Sequence, residues 1–84
     1  MKKMETIKKK IIYRSEYRGI KEMDLLLGAF VKKYVNKFTY EELIDLYEIL
    51  KKDDDKIFKW YLGTLSKDII PENKVSNLLK NFKL

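Results

Sequence analysis

Cysteine and histidine are both absent from this chain of 84 residues, and each absence removes a class of chemistry. Without them the chain has no disulfides, no thiolate or imidazole metal ligands, and no Ser-His or Cys-His pair for nucleophilic catalysis. The three glycines, Gly19, Gly28 and Gly63, lie too far apart for a phosphate-binding loop. We therefore expect no catalytic residues, no metal site and no cofactor held stably by this chain.

Long apolar runs are also missing, so we expect no membrane insertion. Met1-Lys2-Lys3 is followed by more charge, and not by the apolar region of a signal peptide. Small secreted domains usually carry disulfides, which this chain cannot form. Together these features predict a cytoplasmic protein.

Positive charge is concentrated at the start of the chain. The net charge is +6, and residues 1–21 hold eight of the nineteen basic residues against two acidic ones. A cluster such as Lys8-Lys9-Lys10 can bind nucleic acid or anionic lipid. No aromatic residues interleave this cluster as a base-stacking surface would need, so we interpret it as a solvated helix face and expect no nucleic-acid partner.

Apolar residues recur at helical spacing along the whole chain, and no stretch shows the alternation of a strand. The predicted fold class is all-α: a compact five-helix bundle forming a single helical domain over residues 1–84. The predicted helices cover residues 4–17, a segment from about Glu22 to Tyr34, a segment from Thr39 to about Lys51, residues 56–62, and a last segment that begins at Pro71.

Several helix ends have recognisable signals. Thr39 and Glu42 have the spacing of a capping box. One of the three aspartates Asp53–Asp55 should cap the fourth helix, and Gly63 should end it. Gly19 is expected to supply a left-handed pivot between the first two helices.

The charged residues beside this turn, Arg18 and Glu22, allow two interpretations. They form either a local surface ion pair worth at most about 1 kcal/mol, or a fixed guanidinium and carboxylate presented to a partner. The residue pattern alone favours the surface ion pair.

A family resemblance favours the partner contact. The chain closely resembles the SdhE family, the small assembly factors of the succinate dehydrogenase flavoprotein, over roughly residues 11–63. Its signature is an Arg-Gly-x-x-Glu segment. The resemblance rests on Tyr13-Arg14-Ser15, on Arg18-Gly19-Ile20-Lys21-Glu22-Met23-Asp24-Leu25-Leu26-Leu27-Gly28, and on Asp53–Asp55 leading into Trp60 and Gly63.

The resemblance implies a maturation factor and not an enzyme. Family members promote covalent attachment of FAD to a histidine of the succinate dehydrogenase flavoprotein subunit, and in bacteria of fumarate reductase. The partner would carry the FAD. Separately, we expect the chain to be a monomer. The implied partner-binding residues are Arg18, Gly19 and Glu22, with Arg14, Asp24 and Tyr17 as neighbours.

Two further expectations follow. Substitution of Arg18, Gly19 or Glu22 should reduce flavinylation and leave the helical fold largely intact. The alternative function is an antitoxin-like or nucleic-acid-binding small helical protein, which the lysine-rich first helix would favour. The acidic third helix argues against it, because it would be a poor recognition helix facing phosphates.

Overall fold

Five α-helices make up the computed structural model, which describes residues 2–64 and 69–84. Within these residues there are no strands, so the predicted all-α five-helix architecture is confirmed. The Cα radius of gyration, 12.0 Å, is that expected of a compact chain of this length. The helices are α1 (Lys2–Ser15), α2 (Lys21–Tyr34), α3 (Tyr40–Leu50), α4 (Asp54–Leu62) and α5 (Lys74–Asn81).

The core lies where α3 packs against α1 and α5, and where α2 packs against α1 and α4. Each helix contributes the apolar side chains of one face, as the sequence periodicity predicts. Burying this face stabilises the fold because it removes apolar surface from water. The most buried side chains are Ile11, Met23, Leu27, Phe30, Leu43, Leu46, Ile49, Leu50, Ile57, Ile70, Val75 and Leu79.

Two of the predicted helix ends are confirmed in detail. The Thr39 hydroxyl accepts a hydrogen bond from the Glu42 backbone N–H, and the Glu42 carboxylate accepts one from the Thr39 N–H, which is a complete capping box. Gly63 ends α4 with φ 82°, in the left-handed region. Both signals are local in sequence, which is why they could be recognised there.

Helix α5 corrects one predicted start. It begins at Lys74 and not at Pro71, because Asn73 and Ser76 form a capping box in which each side chain accepts the other's backbone N–H at 2.8 Å. These two bonds satisfy two of the backbone donors that have no carbonyl partner within the helix. Part of the predicted connection before this helix, residues 65–68, lies outside the described residues.

Helices α1 and α4 also differ from the prediction. Helix α1 ends at Ser15, two residues early, and α4 begins at Asp54, two residues early. Asp53 occupies the N-cap position of α4, but its side chain makes no capping hydrogen bond. Leu62, in the last turn of α4, is 57% exposed, although its spacing from Phe58 predicts that it packs inward. Across the described residues no helix has both the length and the apolarity needed to cross a bilayer.

Candidate partner-binding site

The turn between α1 and α2 reverses at Tyr17 and not at Gly19. Tyr17 has φ 56°, and Gly19 lies outside the left-handed region. The prediction of a left-handed Gly19 is therefore wrong. The chain already reverses at Tyr17, two residues before Gly19. This reversal directs the Arg18 side chain inward, so Gly19 does not need a left-handed conformation.

Arg18 is held by four hydrogen bonds to three separate parts of the chain. Its Nη1 donates to the carbonyl oxygens of Arg14 at 2.7 Å and Leu50 at 2.8 Å. Its Nη2 donates to the carbonyl of Lys52 at 2.9 Å, and its Nε donates to the Asp54 carboxylate. The Arg18 side chain is only 9% exposed. Four of the five guanidinium N–H groups are therefore used inside the protein.

Asp54 completes this arrangement from the first turn of α4. One carboxylate oxygen accepts from Arg18 Nε, and the other accepts from the backbone N–H of Ile20 at 2.9 Å. We call the Arg18 and Asp54 side chains with these hydrogen bonds the Arg18–Asp54 latch. The guanidinium also lies among the last carbonyls of α1 and α3, where positive charge is favoured by the helix dipoles. The latch fixes the α1–α2 turn against the end of α3 and the start of α4.

The latch corrects the expected pairing of Arg18 with Glu22. The Arg18 side chain pairs with Asp54, 36 residues away, while Glu22 is exposed in the first turn of α2. Breaking a buried pair by removing one partner leaves an uncompensated charge, so Arg18→Ala should not leave the fold intact as the sequence suggested. Arg18 and Glu22 do not form a joint positive and negative contact.

Asp54 is the site residue that sequence reasoning missed. The sequence predicts only that one residue of the run Asp53–Asp55 caps α4, and one aspartate is sufficient for a cap. The signals of a second role were the surplus acidic residues and the presence of Asp53–Asp55 in the family resemblance. Nothing local could have paired one of them with Arg18, because the contact joins two turns that are distant in sequence.

Four of the six predicted partner-binding residues border one surface depression of about 410 Å³. These are Arg14, Tyr17, Arg18 and Gly19, and the opposite wall comes from Leu50 to Asp54. The exposed tyrosine Tyr13 also borders it, so two tyrosines and the Gly19 backbone lie on one face. The structure thus brings these residues together, and their role toward a partner stays a prediction.

The other two predicted residues lie to the side of this depression. Glu22 borders a separate recess of about 270 Å³ between α2 and α4, whose other walls are apolar. Asp24 is half-buried, and its carboxylate accepts the Arg18 backbone N–H at a long 3.5 Å. Glu22 is therefore exposed and Asp24 is half-buried beside the turn, and the role of each toward a partner stays a prediction.

Charges around the depression are mixed in sign. The Arg14 guanidinium and the Lys51 ammonium lie 5.6 Å and 5.4 Å from the centroid of the Tyr47 ring, in cation–π geometry. Lys51 also pairs with Glu48 at 2.9 Å.

Within the described residues, no group of three carboxylates converges as metal ligands would. The surface is suited to recognition through shape, aromatic contact and hydrogen bonding.

Comparison with known proteins identifies the family. Residues 9–83 match the model of the Sdh5 family, described as flavinator of succinate dehydrogenase. The chain belongs to the Sdh5 family. This match confirms the resemblance seen in the motif around Arg18 and Gly19. No solved structure matches the chain significantly.

The curated relatives carry names that agree with the Sdh5 family. Succinate dehydrogenase assembly factor 2, mitochondrial, of Dictyostelium discoideum is 38% identical over 92% of this chain and 52% of its own length. The protein of that name from Scheffersomyces stipitis is 43% identical over 81% of this chain and 44% of its own. The FAD assembly factor SdhE of Acetobacter pasteurianus is 33% identical over 87% of this chain and 64% of its own. The chain spans about half the length of the first two and less than two thirds of the third.

Proposed function

We propose that this chain is an assembly factor that binds the flavoprotein subunit of succinate dehydrogenase and promotes its covalent flavinylation with FAD. The observation that carries the proposal is the Sdh5 family match over residues 9–83. A relative named FAD assembly factor SdhE supports the same function. The proposed role is binding and positioning of a client, with no reaction on this chain.

The sequence composition supports a division of labour between the two proteins. The chain contains no histidine, so a histidine that accepts the flavin must belong to the partner. FAD is accordingly proposed to be carried by the flavoprotein, and this chain is not an enzyme in its own right. Fumarate reductase as a second client, a monomeric state and a cytoplasmic location remain predictions.

The proposed docking surface is the exposed face of the α1–α2 turn. Gly19 supports this choice, because a Cβ built there would meet its nearest neighbour, Asp54 Oδ2, at an ordinary 3.5 Å. Its backbone is also outside the left-handed region, so the fold does not require glycine. A glycine that the fold does not need is explained by the close approach of another polypeptide.

The Arg18–Asp54 latch contributes to docking indirectly. It fixes the turn before the partner arrives, which lowers the ordering cost of association. The exposed Glu22, one turn further along, offers a carboxylate to hydrogen-bond donors of the flavoprotein. Arg18 is thus proposed to shape the surface, while Gly19 and Glu22 contact the client.

The proposal is tested by incubating the apo-flavoprotein subunit with FAD, with and without this chain, and measuring in-gel flavin fluorescence. We expect covalent flavin to form faster with the chain present. Glu22→Ala should reduce the gain, and the matched control Glu41→Ala, an exposed acid in the first turn of α3, should not. Equal fluorescence with and without the chain would refute the function.

The alternative function is tested with the same protein. Binding of this chain to DNA with a steep dependence on salt, and no binding to the flavoprotein, would favour the nucleic-acid-binding alternative. Its sequence support is the lysine-rich α1, whose side chains Lys9 and Lys10 are exposed. The acidic first turn of α3, with Glu41 and Glu42, opposes it.

A further inference from the structure

Tyr17 has a backbone conformation that does not suit its side chain. Its φ of 56° lies in the left-handed region, and among the described residues it is the only non-glycine residue with positive φ. Glycine adopts this region freely, asparagine and aspartate tolerate it, and a bulky residue there is an outlier. A tyrosine at this position makes the turn less stable than asparagine would.

The side chain of Tyr17 does not compensate for this strain through packing. It is 89% exposed, the highest exposure among the large apolar and aromatic side chains described. Within residues 2–64 and 69–84 its hydroxyl makes no hydrogen bond to another part of the chain. The fold therefore gains little from the ring that it displays.

The neighbouring residues hold Tyr17 in this conformation. Arg18, the next residue, is fixed by the Arg18–Asp54 latch, and the same guanidinium donates to the carbonyl of Arg14 at the end of α1. The backbone on both sides of Tyr17 is thus tied to one buried group. Strained residues that are held by their surroundings and not needed for packing are concentrated at binding and catalytic sites.

We infer that Tyr17 is an aromatic anchor whose ring inserts into a pocket of the flavoprotein subunit. The inference deepens the proposed function and rests on it. Tyr17 and Tyr13 border the same depression as Gly19, so a polypeptide that approaches the bare Gly19 backbone meets the Tyr17 ring as well. Tyrosine is enriched among residues that dominate binding energy, because its large rigid ring is buried at low entropic cost. The complementary site is an apolar pocket with a polar rim for the hydroxyl.

The decisive variant is Tyr17→Asn, which removes the ring and suits the left-handed backbone. We expect the dissociation constant for the apo-flavoprotein, measured by calorimetry, to rise roughly tenfold or more. The melting temperature should stay level or rise by roughly 2–5 °C because strain is relieved. Opposite movements of affinity and stability are the signature of a contact residue. A drop in melting temperature of several degrees, or an unchanged affinity, would overturn the inference.

Two further variants sharpen the test. Tyr17→Phe keeps the ring and should bind within about threefold of the parent, whereas equal losses in Phe and Asn would contradict burial of the ring. Leu62→Ala, which truncates another exposed apolar side chain, should leave affinity unchanged. Equal weakening by Leu62→Ala would show a general surface effect and refute the anchor.

Failure of the inference is distinguishable from failure of the proposed function. If the parent chain does not bind the apo-flavoprotein, the function itself is wrong. If the parent binds and Tyr17→Asn binds equally well, the function stands and the anchor is refuted.

Discussion

Two turns of this protein contain a glycine, and they use it in opposite ways. At the end of α4, Gly63 has φ 82°, and nothing lies within 4 Å of the Cβ it lacks. Between α1 and α2, Gly19 has an ordinary φ, and the left-handed residue two positions earlier is Tyr17. At the α4 turn, the left-handed position is occupied by glycine, the residue that adopts it most easily. At the α1–α2 turn, the left-handed position is occupied by tyrosine, and the glycine lies elsewhere.

We propose that this difference separates what the fold requires from what a partner requires. The α4 turn is explained by local backbone sterics alone. The α1–α2 turn is stabilised by a distant group, Asp54, and has a strained tyrosine and an unneeded glycine on its exposed face. We interpret that mismatch as the consequence of selection for an interface.

The largest expected effect comes from removing the latch with Arg18→Ala. It removes the guanidinium donor from Asp54 Oδ1 and from the carbonyls of Leu50 and Lys52, so that Asp54 keeps only the backbone N–H of Ile20. Urea denaturation should show a loss of about 2–4 kcal/mol in the free energy of unfolding. The matched control Arg14→Ala removes an exposed arginine and should cost no more than about 1 kcal/mol. Equal losses in the two variants would show that the latch does not hold the turn.

The second effect is at the α4 turn. Gly63→Ala forces a Cβ into the left-handed region without any steric contact, so the loss is backbone strain of about 1–2 kcal/mol. Gly28→Ala is the control, and its change in the free energy of unfolding should have the opposite sign. Gly28 lies inside α2 and also has open space for a Cβ. It should stabilise by about 0.5–1 kcal/mol. Thermal unfolding of both variants checks the pair, and a neutral Gly63→Ala would undermine the contrast.

Gly19→Ala is expected to separate folding from binding. Its Cβ fits at an ordinary distance from Asp54, so the free energy of unfolding should be unchanged or higher by up to about 1 kcal/mol. Affinity for the apo-flavoprotein should fall because the methyl group obstructs close approach. The measurement is calorimetric titration of the folded variant. If the variant unfolds more easily and binds normally, Gly19 is a structural glycine like Gly63.

The smallest effect concerns pH at the start of α3, where a local capping box is joined by an ion pair to Lys74 of α5. The Thr39 backbone N–H and then the Lys74 ammonium hold the pKa of Glu42 below its usual value of 4.5. A carboxylate with a lowered folded pKa contributes stability above its unfolded pKa and loses it as pH falls through the folded value. Glu42→Gln should therefore be less stable than the parent at pH 7, with a difference that shrinks below pH 4.5. A difference independent of pH would contradict the assigned cause.

The sequence predicted the parts of this structure that depend on neighbouring residues. The Thr39–Glu42 capping box and the Gly63 cap each need only a few adjacent positions, and both were recognised. The start of α5 was misplaced because proline is common at the first position of a helix. The helix instead begins after the Asn73–Ser76 capping box, in which serine stands where glutamate or glutamine is usual.

The candidate site was predicted less completely because its geometry depends on distant residues. The motif located the α1–α2 turn, but the burial of Arg18 depends on Asp54 and on carbonyls at the end of α3. When the Arg18 side chain is directed inward, Tyr17 adopts the strained left-handed backbone conformation and Gly19 does not. None of these consequences follows from the spacing of Arg18, Gly19 and Glu22.

Amide hydrogen exchange of this chain, with and without the apo-flavoprotein subunit, tests most directly whether the α1–α2 turn is the docking surface. We predict that binding slows amide exchange across residues 16–23. The exchange rates of residues 41–48 in α3 should be unchanged. Protection confined to α3, or to the lysine-rich start of α1, with no change in the α1–α2 turn would contradict the account.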